Sequence, residues 1–175
     1  MNYDRELVRK KSYWLDVKAL ARVEATSEDS RYPIKSAFEE DGHGCRAVEV
    51  GEQTIQLVFD EPRRIRRIWL CFIEPDTERT QEFTLQWSTD QTDALRPLIQ
   101  QQWNFSPTGS TIQIEDHEVN LYGVWMLHLI VRPEIKRGPA VATIASWRLA
   151  KGEAIGGRWP RKTAGDIYPQ VRTIK

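Results

Sequence analysis

The chain of 175 residues carries 25 basic and 25 acidic side chains, so its formal net charge is zero, and 40% of its residues are hydrophobic. That length and apolar content fit one domain with a packed core. Zero net charge argues against generic nucleic-acid binding, and two cysteines do not make a disulfide framework. No apolar run approaches the ~18 residues that cross a bilayer. The start, Met1-Asn2-Tyr3-Asp4-Arg5-Glu6, lacks the apolar stretch of a signal peptide, which points to the cytoplasm.

Charge divides the chain in three. Residues 1–12 are net +2 and residues 151–175 net +4, which leaves 13–150 net −6. The ends therefore read as basic extensions of a central domain. The C-terminal one holds Gly152, Gly156, Gly157, Pro160, Gly165 and Pro169 and has no apolar period, so an extended tail is expected, with Trp159 as its anchor on another surface.

The middle alternates with period two, the signature of strands with one buried face. In chain order, Val17, Ala19, Ala21 and Val23 mark the first strand. Ile55, Leu57 and Phe59 mark the second, ended by the turn signal Asp60-Glu61-Pro62-Arg63. Ile68, Leu70 and Phe72 follow, with Trp69, Cys71 and Ile73 on the opposite face, and then Phe83, Leu85 and Trp87. Weaker runs lie at 96–104 and 110–116. Trp125, Leu127, Leu129 and Val131 share one side of the seventh strand, and Ala145, Trp147 and Leu149 one side of the eighth. Only 4–12 and 34–40 are expected as short helices. Eight short strands with turn signals between them specify an all-β sandwich or barrel.

Loop character adds a direction. Connections after the odd-numbered strands (26–51, 75–81, 105–109 and 133–141) are long, polar or rich in Pro and Gly, whereas 61–64, 89–95 and 117–121 are short. Antiparallel order brings the first set to one end, where a rigid scaffold presents binding loops.

Several stretches resemble a known family. They are Ser36-Ala37-Phe38-Glu39-Glu40-Asp41-Gly42, the run Gly51 to Asp60, Pro62 with Ile65-Arg66-Arg67-Ile68, and Phe83-Thr84-Leu85-Gln86-Trp87-Ser88-Thr89-Asp90. Over about 13–150 the chain resembles the discoidin, or coagulation factor 5/8 type C, domains of the galactose-binding-like fold. Residues 79–83 and 101–107 resemble a bacterial carbohydrate-binding-like subgroup of it. The resemblance implies an eight-stranded antiparallel jelly-roll β-sandwich. The family's Trp at the end of the long first loop is replaced near Ala47-Val48-Glu49, and the stapling cysteine pair of secreted members is absent. In that family the first loop often folds around a structural calcium ion. Here it offers Asp29, Glu39, Glu40 and Asp41, short of the six to eight oxygens calcium takes, so a metal-free, hydrogen-bonded loop is expected and no cofactor.

Catalytic patterns are missing. His43, His117 and His128 have no metal-site spacing, and no nucleophile elbow or P-loop occurs. Glu39-Glu40-Asp41 and Glu115-Asp116 read as solvated turns, and Arg63-Arg64-Ile65-Arg66-Arg67 as a charged edge that exposes Arg67. A non-catalytic binding module is expected, with a carbohydrate or other small polar ligand held at the odd-strand loops. Trp103 or Phe105 would supply the stacking wall and Arg79 and Asn104 the hydrogen bonds, with Tyr32 at the same end. Trp103 either faces the ligand or packs beneath its own loop. The alternative function is a protein-interaction or self-assembly module using Trp69, Ile73 and the basic arms. Neither nucleic acid nor a membrane is an expected partner.

Overall fold

A computed structural model describes residues 13–40, 42–90, 94–136 and 138–151. The two basic extensions, the helix at 4–12, the tail anchor Trp159 and the carboxylate of Asp41 lie outside them. The elements are α1 (Val17–Leu20), β1 (Ala21–Ala25), a 3-10 helix (Ile34–Phe38), β2 (Cys45–Val50), β3 (Gln53–Ile73), β4 (Arg79–Ser88), β5 (Arg96–Phe105), β6 (Ile112–Arg132), β7 (Val141–Ile144) and β8 (Ser146–Ala150).

Two strands of 21 residues organise the molecule. β3 and β6 run antiparallel along their whole length, from Gln53 opposite Val131 to Ile73 opposite Ile112. Midway the register shifts repeatedly, between Val58 and Arg67. The ladder bends there, so its halves belong to opposite layers. The first half of β3 and the last half of β6 lie with β1, β4 and β5 in the order β1-β3-β6-β4-β5, and the other halves lie with β8. Aromatic rings join the layers: Phe72 of β3 stacks on Phe83 of β4 at 5.8 Å and meets Trp103 of β5 at 5.0 Å. β2 and β7 form a separate two-stranded sheet. This is the expected eight-stranded antiparallel sandwich, with a different division of its strands.

The differences have physical causes. Asp60-Glu61-Pro62-Arg63, read as a turn, lies inside β3, because proline and its neighbours occupy the irregular bend where no regular ladder bond is lost. Residues 117–121 likewise lie within β6. Val17–Leu20 is a helical turn rather than strand: the Asp16 carboxylate caps it by accepting from the Ala19 backbone N–H at 3.4 Å. The bend also changes which residues of β6 face inward. Val124 is fully buried in the core, and Trp125 is left half-buried outside it.

Arg67 is a correction of another kind. Alternation puts it with Trp69 on the outer face of β3, yet Arg67 is 1% exposed, like Trp69, whose large apolar ring on that face required a cover. Tyr13 and Trp14 lie there: the Arg67 guanidinium sits 5.5 Å from the Trp14 ring, bonds Tyr13, and donates from Nε to Asp116 Oδ1 at 2.7 Å. The charge is buried but paired, the arrangement that makes such burial tolerable. Glu115 and Asp116 point to opposite faces of β6, so they are not an acid pair.

Candidate functional site: the loop end of the sandwich

Register collects one set of connections at one end. β1 ends beside the start of β3, β6 ends beside Gln53, and Arg79 at the start of β4 faces Phe105 at the end of β5. Backbone bonds stitch the loops there together. The Ile135 N–H donates to Thr80 O at 2.9 Å, Glu74 to Thr111 O at 2.8 Å, and Gly51 to Ala140 O at 3.0 Å.

On the β4–β5 side, the ladder brings Arg79, Trp103, Asn104 and Phe105 together. Their roles differ from those expected. Phe105 is 0% exposed, so it offers no face to a ligand. Arg79 is buried and engaged: Nε donates to Glu74 Oε1 at 3.1 Å, Nη1 to Gln81 Oε1 at 2.8 Å and to Pro133 O, and the guanidinium lies 5.4 Å from the Phe105 ring. It ties the 74–78 and 133–140 loops to β4. Trp103 is half-buried on the inner face, against Phe72, Phe83 and Phe105. Asn104 alone of this row is exposed at the end; its Oδ1 accepts from Thr80 Oγ1 at 2.6 Å and its amide N–H donors point to no described partner.

Tyr32 belongs to the other side of the same end. Its ring is 39% exposed, with the Arg31 guanidinium 5.9 Å from the ring centre. A tight turn sets this pair: the Tyr32 N–H donates to Asp29 O at 2.9 Å, and Arg31 donates to the Asp29 carboxylate through Nε, Nη2 and its backbone N–H. The turn is pinned to β2, with the Asp29 N–H on Arg46 O and the Arg46 N–H on Tyr32 O. Arg31 holds the Asp29 carboxyl down at about 2, below its ordinary 3.8, chiefly by the side-chain hydrogen bond. Beneath the turn is a small recess lined by Ser27, Glu28, Ile34, Arg46 and Gln53. Arg31 and Arg46 were not singled out from the sequence. The signal for Arg31 was the Asp29-Ser30-Arg31-Tyr32 string, in which a turn-forming carboxylate precedes a cation and an aromatic; Arg46 has no such local signal.

Among the described residues no group of three or more His, Cys, Asp or Glu is placed to hold a metal ion. Both cysteines are buried, and burial pushes Cys45 and Cys71 up to about 12, so neither is a nucleophile. No helix among the described residues is long and apolar enough to cross a membrane.

No protein-family model matches the sequence, and no curated protein is significantly similar to it. Solved structures are. The family 32 carbohydrate-binding module of NanJ from Clostridium perfringens, in complex with galactose, is 10% identical, with a TM-score of 0.56 over 78% of this chain and 97% of that one. The Clostridium perfringens module CpGH89CBM32-5, in complex with GalNAc-β-1,3-galactose, is 14% identical, with a TM-score of 0.56 over 78% and 99%. A pectin-binding carbohydrate-binding module is 17% identical, with a TM-score of 0.56 over 78% and 94%. These likenesses establish the fold: the chain has the galactose-binding-like, discoidin-type jelly roll shared by family 32 carbohydrate-binding modules.

Proposed function

We propose that this chain is a non-catalytic carbohydrate-binding module whose ligand sits at the loop end, on the face of Tyr32. The observation that carries the reading is the exposed aromatic ring with fixed charged partners, Arg31 and Asp29, at the end of the sandwich where the connections gather. A ring face suits the C–H face of a sugar, and guanidinium and carboxylate groups suit its hydroxyls. The turn is already ordered by bonds to β2, so little conformational entropy is lost when a ligand arrives. The galactose-containing ligands of two structural neighbours support sugar as the ligand class. Asn104, across the same end, supplies a further amide. Trp103, Arg79 and Phe105 support the loops from below.

Calorimetry with galactose and GalNAc-β-1,3-galactose tests this. Tyr32→Ala is expected to weaken binding about tenfold, the loss of one stacking contact, and to leave the unfolding midpoint unchanged. Binding by the variant equal to that of the parent would move the site elsewhere.

A second reading, association with a protein or a second copy, is favoured by Val48 and Val50, which are 63% and 59% exposed on β2. It predicts a concentration-dependent mass by light scattering that Val48→Lys with Val50→Lys reduces to the monomer's.

A further inference from the structure

The inner face of a sandwich is normally sealed by apolar side chains, and at one side of this molecule it is not. β5 is the last strand of its layer, and the first half of β6 has β3 on one side only, because β4 pairs with β6 from Arg132 to Met126 alone. The short connection 106–111 joins these two edges, so they lie over one another along the same side of the sandwich. Inward-facing positions follow from register. Trp103, Gln101 and Ile99 lie opposite Gln81, Phe83 and Leu85, and Gln113, Glu115 and His117 lie opposite Phe72, Leu70 and Ile68. Their neighbours in each layer are at most 1% exposed. Yet Gln101 is exposed, and Trp103, Ile99, Gln113 and His117 are only half-buried. We read this open edge of the sandwich as a groove, with an aromatic and an amide on one wall and a polar row on the other. Trp103 marks its closed end, because it touches Phe72, the cross-strand partner of Gln113.

The polar row is built, not merely solvated. Glu115 is 7% exposed and holds both neighbours: Gln113 Nε2 donates to its Oε1 at 2.8 Å, and His117 Nε2 lies 2.7 Å from its Oε2. A core strand would carry apolar residues at 113, 115 and 117. Here a mostly buried carboxylate fixes the rotamers of an amide and an imidazole on half-buried side chains. Beside them Trp103 packs half-buried, and its indole Nε1 and the Nε2 of Gln81, directly opposite, are buried with no acceptor among the described residues. From Gln113 to His117 the row spans about 13 Å at the rise of a β-strand, longer than one sugar ring.

We propose that this groove is a second ligand site, which binds an internal stretch of a neutral oligosaccharide lying along the strands. Trp103 stacks under one ring, and Gln101, Gln113 and His117 bond the hydroxyls of successive rings. Glu115 is a positioning residue, and its buried charge disfavours uronic-acid chains. The site is distinct from the Tyr32 turn and rests on the carbohydrate reading only for its ligand class.

Nuclear magnetic resonance titration of the full chain tests it, with cellohexaose, xylohexaose, mannohexaose, β-1,4-galactohexaose and hexagalacturonate as probes. At least one neutral hexasaccharide is expected to shift the signals of Gln101, Gln113 and His117. Gln101→Ala and Gln113→Ala, with folding verified by an unchanged unfolding midpoint, are expected each to weaken that binding about three- to tenfold, one hydrogen bond's worth, while Tyr32→Ala leaves it intact. Absence of groove shifts with every neutral probe overturns the proposal, as does groove binding that survives both substitutions or favours hexagalacturonate. Shifts confined to the Tyr32 turn overturn it while sparing the loop-end reading. Shifts confined to the groove support it and remove the loop-end reading.

Discussion

Asp29 shows how one residue sets the geometry of the proposed loop-end site. Its carboxylate takes three donors from Arg31, its carbonyl takes the Tyr32 N–H, and its own N–H is spent on Arg46. Because Arg31 holds its carboxyl down at about 2, the folded state binds a proton there less readily than the unfolded chain, whose value is near 3.8. The sign follows: this group's contribution is complete above the unfolded value, declines as pH falls below it, and is gone once pH passes below about 2. Side-chain carboxyl titration by nuclear magnetic resonance should give Asp29 a midpoint near 2, and Arg31→Ala should move it up toward 3.8. A normal midpoint in the parent would mean that the turn is not clamped. With the Arg31 guanidinium open to solvent, the pair orients Tyr32 more than it stabilises the fold.

At the scale of elements, the bends and turns depend on glycine in two different ways. Gly123 lies in the β6 bend with φ +68°, and a Cβ there would meet nothing within 4 Å. Gly44, ahead of β2, has φ +76°, and a Cβ there would lie 2.5 Å from the Ile144 carbonyl oxygen. Gly123→Ala should cost about 1 kcal/mol, the left-handed backbone penalty alone. Gly44→Ala should cost clearly more, since a backbone oxygen of β7 must also move. Urea midpoints of the two variants at unchanged slope give the comparison, and equal losses would show that the β2–β7 contact yields freely. Elements also explain which parts of the strand pattern were legible. Phe83 and Leu85, like Leu127 and Leu129, were read correctly as core because regular ladder holds parity constant. Trp125 was not, because the register shift at the bend changes parity, and a shift has no signature in alternation itself.

For the whole molecule, the two bent layers are joined through an aromatic seam of Phe72, Phe83, Trp103 and Phe105. Phe72 touches both Phe83 and Trp103 from the opposite layer and is 1% exposed. Phe72→Ala should cost about 3–5 kcal/mol, transfer plus cavity, and thermal or urea unfolding measures it. A loss under about 1 kcal/mol would be surface-like and would place the seam's strength elsewhere. The seam also explains why removing Trp103 is a poor test of binding: the side chain supports the core on one face and borders the groove with the other.

Period-two alternation and loop lengths by themselves determined an all-β sandwich or barrel, most of its core strands and the end where its connections gather, and the family resemblance narrowed this to the jelly-roll sandwich. These are properties of nearest neighbours along the chain, and burial of one strand face is enough to write them into sequence. What only the tertiary structure decided is which side chains remain available. Arg67 alternates as a surface residue and is buried, Phe105 and Arg79 stand at the loop end but are enclosed, and Gln113, Glu115 and His117 face inward yet line an open edge. Each outcome depends on what lies across from the residue, in the other layer or on the segment at Tyr13, which is contact between positions far apart in the chain.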